Sequence, residues 1–360
     1  MGILFGKDRW LKIKETHRAW WAGQLERPLI VYRTEDGDPG RPEPKTPFHF
    51  FMGNYDFSIS ADAIADRWHW EVSKQRFYGD AFPMTWLNFG PGVAAAFMGA
   101  KVTPAEWTTW FHPPRELPIT ELHFEYDADN PWWLRVQEVA RAFVKRFEGD
   151  AQIGMTDLGG NLDMLSTFRP AERLLLDLID HPEDVKRCLW EAHELWHRYY
   201  TELNAILQPV NPGYSAWDGT FCPEMYYMLQ CDFCYMISPE MFDEFVRPEL
   251  EATCRRLTYS MYHLDGIGQL PHVPSLLSLE RLDGIQWVMG EGEPRKKDWL
   301  DLLLRIRGGG KKLWLSSLLG IQILDRLADR LGSLKGCVYH VTEGEPKEKV
   351  LAAIKKYVKG

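Results

Sequence analysis

The chain has 360 residues with a formal net charge of -9 and a sequence pI near 5.7, and its lysines and arginines are scattered, which argues against a polyanionic nucleic-acid partner. Hydrophobic residues at 45% and charged residues at 26% predict an ordinary buried core rather than disorder. Six cysteines in a chain of this size do not suggest a disulfide scaffold, and the opening residues, with Lys7, Asp8 and Arg9, lack the apolar run of a signal peptide or membrane span, so a cytoplasmic enzyme is expected.

Short β-branched or aromatic runs ending in Gly, Pro or polar residues recur along the chain. In order they are 28–33 (PLIVYR), 82–88 (FPMTWLN), 151–157 (AQIGMTD), 213–217 (GYSAW), 258–265 (TYSMYHLD), 284–289 (GIQWVM), 312–317 (KLWLSS) and 336–341 (GCVYHV). Helical stretches separate them. Pro182, Glu183 and Asp184 suit the first turn of a helix reaching about Leu207, Ser238 suits an N-cap, and Pro248 divides the following segment. Trp299, Leu302, Leu303 and Ile306 keep helical spacing before Gly308, and helices are expected over 322–331 and 347–358.

Regular alternation from residue 151 onward is the pattern of parallel βαβ units, and eight strands predict a (β/α)8 TIM barrel forming one domain over 1–360. No GxGxxG follows the first strand, so the dinucleotide fingerprint of an open doubly wound sheet is missing. The stretches at about 36–80 and 99–130 are too long for ordinary loops and are read as insertions over the barrel mouth.

In such a barrel the chemistry gathers at the carboxyl ends of the strands. Those ends carry Tyr32 and Arg33, Asn88, Asp157 and Asn161, Trp217 and Asp218, His263 and Asp265, Glu291 and Glu293, Ser316 and Ser317, and Cys337 with His340. His263 and Asp265 alternate onto one face of their strand, where they could share a metal or a proton, and a thiolate from Cys337 would complete a feasible zinc site. The plainer alternative is that Asp265 orients His263 and that Cys337 is a core residue. Asp157, Asp218 and Glu291 are candidates for proton transfer or substrate positioning, and Tyr32, Asn88, Asn161, Trp217 and Trp287 for substrate binding. The abundant tryptophans near strand ends suit an aromatic-walled pocket for a neutral or methylated small molecule. Cys231-Asp232-Phe233-Cys234 has CxxC spacing but no second pair, which is weak support for redox or zinc chemistry, and His193 with His197 lacks the HExxH order.

The run Met236 to Pro248, MISPEMFDEFVRP, resembles the helix-opening segment of the uroporphyrinogen decarboxylase-like superfamily. His263-Leu264-Asp265-Gly266 falls where those proteins carry a His-x-Cys-Gly or His-x-x-Gly strand end. Gly336-Cys337 with Glu345-Pro346-Lys347-Glu348-Lys349-Val350 resembles their terminal strand and ending. Asp157-Leu158-Gly159-Gly160, Arg169-Pro170 and His181-Pro182-Glu183-Asp184-Val185 keep the expected order, so the resemblance covers about 150–360. It implies a barrel with one of two chemistries: metal-free decarboxylation of a large acidic tetrapyrrole, or cobamide-dependent methyl transfer assisted by zinc on a His-x-Cys pair and a distant Cys. Carried over, His263 and Cys337 match two zinc ligands and Asp265 replaces the first Cys, which hardens the site. The acidic Glu35-Asp36-Gly37-Asp38 after the first strand disfavours an acidic substrate. The leading expectation is therefore a zinc-assisted methyltransferase acting with a corrinoid (cobamide) carried by a partner protein. A metal-free decarboxylase or lyase using Asp157 or His263 as acid, and a noncatalytic corrinoid- or ligand-binding barrel, are the alternatives. A small-molecule substrate is expected, with no nucleic acid and no membrane, and association as a homodimer is left open.

Overall fold

The computed structural model describes residues 2–290, 298–342 and 344–358. After helix α1 (Lys7–Trp21) the chain enters β1 (Leu29–Thr34), then α2 (Ala61–Ser73), β2 (Arg76–Gly79), β3 (Met84–Trp86), the short α3 (Ala94–Phe97) and the hairpin strands β4 (Lys101–Pro104) and β5 (Thr109–His112). Helix α4 (Pro131–Phe147) leads to β6 (Gln152–Gly154), followed by α5 (Asn161–Phe168), α6 (Ala171–Asp180) and the long α7 (Pro182–Leu207). Beyond them come β7 (Tyr226–Gln230), α8 (Pro239–Phe245), α9 (Arg247–Arg256), β8 (Tyr259–Asp265), α10 (Val273–Ser278), β9 (Gly284–Val288), α11 (Leu300–Gly308), β10 (Lys312–Ser316), α12 (Ile323–Leu331), β11 (Cys337–Val341) and α13 (Lys347–Tyr357).

The fold is mixed α/β and built on parallel strands. One sheet has the order β2-β1-β11-β10-β9-β8-β7, parallel throughout except for β2 at its edge, and β3 pairs with β6 in a second parallel ladder. Strand β7 reaches the second ladder through a side chain: the Tyr227 hydroxyl donates to the Thr156 carbonyl at 3.1 Å and accepts the Leu158 amide at 2.7 Å. Seven of the eight expected strands are present with boundaries that agree within three residues. The fourth is a correction. Residues 213–217 are irregular, with Tyr214 making one antiparallel bridge to Cys222, and the parallel strand at that place in the order is β7. Every residue of YYMLQ in β7 is buried, so it lacks the alternation and the terminal Gly or Pro that mark strands in sequence.

Local chemistry sets the helix ends as expected. The Ser238 hydroxyl accepts the Met241 amide at 3.3 Å to cap α8, and Pro248 sits in the first turn of α9. The expected insertion at 36–80 holds α2 and β2, and that at 99–130 holds the β4–β5 hairpin. Helix α1 packs at the amino end of β11, where the Trp20 indole donates to the Cys337 carbonyl at 3.0 Å. Among the described residues no helix is long and apolar enough to cross a membrane.

Candidate metal centre

The register of the sheet decides which side chains meet. His263 lies level with Gln230 of β7 and Gln286 of β9, and Asp265 lies level with Val288. Following the ladder across, the face that bears Asp265 also bears Ser316, His340 and Val31. On this face, near the carboxyl ends of β7 and β8, the ligand atoms of Asp232, His263 and Asp265 lie within 4.8 Å of one another. Two residues come from the end of β8, and Asp232 follows β7 by two positions.

The imidazole is held from one side. His263 Nδ1 meets the Gln286 amide oxygen, which makes Nδ1 the protonated nitrogen and leaves Nε2 facing Asp265 Oδ2 at 3.7 Å. Burial alone would lower the His263 pKa, but the neighbouring Asp265 and Asp232 carboxylates and the Gln286 carbonyl outweigh it and raise it. Burial raises the Asp232 carboxyl, His263 opposes this and Asp265 adds to it. Asp232 is nonetheless open to solvent, as a group on the wall of a bowl would be. Asp265 Oδ1 is buried with no hydrogen-bond partner among the described residues. One imidazole nitrogen with a free lone pair, two carboxylates and an orphaned carboxylate oxygen are a donor set that fits a divalent cation.

Two of the expected site residues stand close by. The Trp217 ring meets His263 edge-on at 5.0 Å. Asp157 is pushed up to about 7, chiefly by burial, with the Asp232 charge adding to the shift and the Gly159 amide, the Gly92 backbone and His263 opposing it. Its Oδ1 accepts the Gly159 amide at 2.9 Å and its carbonyl accepts the Val93 amide at 2.9 Å. The loops after β3 and β6 thus meet backbone to backbone. A Cβ on Gly159, whose φ is +82°, would stand 2.7 Å from Gly92 Cα, so only glycine permits this approach.

Other expected residues go elsewhere, each for a reason of register or bonding. Cys337 pairs with Leu313, Leu313 with Ile285 and Ile285 with Tyr262, so Cys337 shares the face of Tyr262 and not that of His263, three strands away. It is fully buried, burial pushes its thiol up to about 12, and it does not join the metal group. Trp287, level with Leu264, also faces away and packs against Trp299 at 4.8 Å. Tyr32 turns off the site face toward Tyr78 at 5.4 Å, while its neighbour Arg33 turns onto it. Asn88 donates to the Phe50 carbonyl at 2.9 Å and fastens a loop, and Asn161 donates to Glu249 at 3.0 Å within the helix layer. Asp218, raised to about 6 by burial, accepts the Tyr226 hydroxyl at 3.0 Å near the amino end of β7, away from the metal group. Glu291 and Glu293 lie outside the described residues.

Sequence reading missed Asp232 and Gln286. Asp232 lies inside the CxxC run, whose cysteines are buried free thiols, and the signal was an acid directly after an apolar stretch, MYYMLQC. His193 and His197 pack ring to ring at 4.6 Å inside the helix layer rather than at the site.

Its fold is similar to that of a methyltransferase from Methanosarcina mazei. The match covers 96% of this chain and 98% of that one, with a TM-score of 0.59 at 16% sequence identity. No protein-family model matches the chain, and no curated protein does. What the two share is therefore the fold, and the chemistry has to be argued from the side chains.

Proposed function

We propose that this chain is a metal-assisted methyltransferase of the uroporphyrinogen decarboxylase-like superfamily, moving a methyl group from a small methylated substrate to a corrinoid carried by a partner protein. In this reading the six parallel strands of the large sheet and the two of the small one form one closed (β/α)8 barrel, with the site at its carboxyl-end mouth. The observation that carries it is the convergence of Asp232, His263 and Asp265 at the strand ends, with Gln286 fixing the imidazole tautomer. The methyltransferase fold match supports it.

The metal, when bound to those three residues, supplies Lewis acidity toward the atom that bears the methyl group. The chain's own residues do the rest. Gln286 keeps the proton on Nδ1 so that Nε2 stays available. Trp217 shields one edge of His263 from water. Asp157, near half-protonated at neutral pH, holds a proton for the heteroatom that loses its methyl group. Replacing the thiolates of the zinc methyltransferases by carboxylates gives a harder site, which accepts zinc and also manganese, iron(II) or cobalt(II).

The test is metal content by mass spectrometry on protein purified without chelator, beside methyl transfer to cob(I)alamin from a panel of methyl donors. About one divalent ion per chain is expected, lost in His263→Ala and Asp232→Asn and retained in Cys337→Ser. Protein that holds no metal and reloads none would overturn the reading. A metal-free acid catalyst is the second reading, favoured by the raised Asp157 carboxyl next to His263. It predicts turnover that survives Asp232→Asn and fails in Asp157→Asn.

A further inference from the structure

Asp232 of the metal group stands between two cysteines, Cys231 and Cys234. Cys231 follows the last residue of β7, and Cys234 belongs to the 3-10 turn Phe233–Met236. In a turn of this kind, side chains three positions apart lie over one another. The Cys231 thiol accordingly hydrogen-bonds to that of Cys234, and its sulfur accepts the Cys234 amide. Both side chains are fully buried, with the Tyr262 hydroxyl 3.6 Å from the Cys234 sulfur. A disulfide needs Cα atoms about 4.4–6.8 Å apart, a distance that residues three apart in a helical turn satisfy.

The other four cysteines are placed differently. Cys188 lies in α7, Cys254 in α9, Cys337 in β11 and Cys222 at the bridge to Tyr214, and no contact joins any two of them. The Cys231–Cys234 turn is also where a small reagent can enter. Tyr235 and Met236 are half exposed, and Asp232, Phe233 and Met236 wall the cavity beside the metal group. The turn is tied to α5 through Asp163, which accepts the Asp232 amide at 3.0 Å and the Phe233 amide at 2.7 Å. A short exposed segment held this way opens locally at lower cost than the helices and central strands that carry the other thiols.

We propose that Cys231 and Cys234 form a redox-active dithiol, and that closing it to a disulfide draws Asp232 away from the metal. Two S–H bonds break and one S–S bond forms, while both protons and both electrons pass to a small two-electron oxidant, such as a low-molecular-weight disulfide that leaves as two thiols. The bonded sulfurs stand about 2 Å apart, nearer than two thiols can lie, so the turn tightens around Asp232. Its carboxylate shifts against His263 and Asp265, which are fixed on β8. The consequence for the metal rests on the metal-assisted reading, whereas the disulfide stands on the cysteine pair alone.

The test treats the reduced chain with diamide, whose N=N bond takes up the two hydrogens, and follows with alkylation in denaturant and peptide mass mapping. Cys231 and Cys234 are expected in one peptide, unalkylated and lighter by two hydrogens, with the other four cysteines alkylated and the bridge reversed by dithiothreitol. Zinc affinity, measured by competition with a chromogenic chelator, should fall about tenfold or more on oxidation and recover on reduction. Cys231→Ser and Cys234→Ser, neither able to close the bridge, should hold zinc equally with and without diamide. Cys231 and Cys234 that stay open to alkylation, a bridge to any other cysteine, or equal zinc affinity in the bridged and reduced chains would overturn the proposal. A reduced chain that takes up no zinc would overturn the metal assignment and with it the consequence for Asp232, while the mass map decides the dithiol by itself.

Discussion

Asp157 is the residue whose environment speaks most directly to proton chemistry. Its folded pKa, about 7, stands above the ordinary carboxylate value of 3.8, so the folded state binds this proton more tightly than the unfolded chain does. The stability that the protonated carboxyl contributes is full below pH ~4 and is lost as pH rises through about 7. Asp157→Asn removes the charge that burial penalises. The variant should therefore gain on the wild type with rising pH, its relative stability growing by on the order of 2 kcal/mol between about pH 5 and pH 8. Denaturant unfolding at the two pH values checks this, and a gain that shrinks with pH would contradict the assigned shift. Cys337 teaches the opposite lesson at the same scale. Its place after Gly336 resembles a zinc-ligand position, yet a residue's face is set by register with its neighbours, which one strand read alone does not reveal.

At the scale of elements, the later strands were legible because each pairs a β-branched or aromatic run with a Gly or polar stop. The helices were legible from Pro, Ser and acidic starts. Strand β7 was not, since a strand buried on both faces loses its alternation and cannot be told from a helix segment by period. Missing β7 also hid Asp232, because the reading placed the fourth strand end at Trp217 and Asp218. His263 and Asp265 were legible as a pair because alternation within one strand is a local property. Their partner Gln286 required the pairing of β8 with β9. That pairing carries its own prediction: Gln286→Leu leaves the β9 backbone unchanged and frees the imidazole to turn or change tautomer. Metal affinity should fall about 10- to 100-fold, as for the loss of other groups that orient a ligating histidine. Competition with a chromogenic chelator measures it, and unchanged affinity would mean that Gln286 does not position the ligand.

For the whole molecule, the parallel sheets and the helices between their strands place three oxygen- and nitrogen-bearing side chains at the strand ends. Residue and fold then answer different questions. Parallel α/β folds gather their ligands at the carboxyl ends of the strands, while the donor set states which metals and ligands would suit that place. In the proposed metal centre His263, Asp265 and Asp232 hold the ion and Cys337 does not. X-ray absorption at the metal edge of the zinc-loaded protein tests it most directly. A shell of nitrogen and oxygen at about 2.0–2.2 Å with one imidazole and no sulfur is expected, unchanged in Cys337→Ser. A sulfur scatterer near 2.3 Å, lost in that variant, would contradict it.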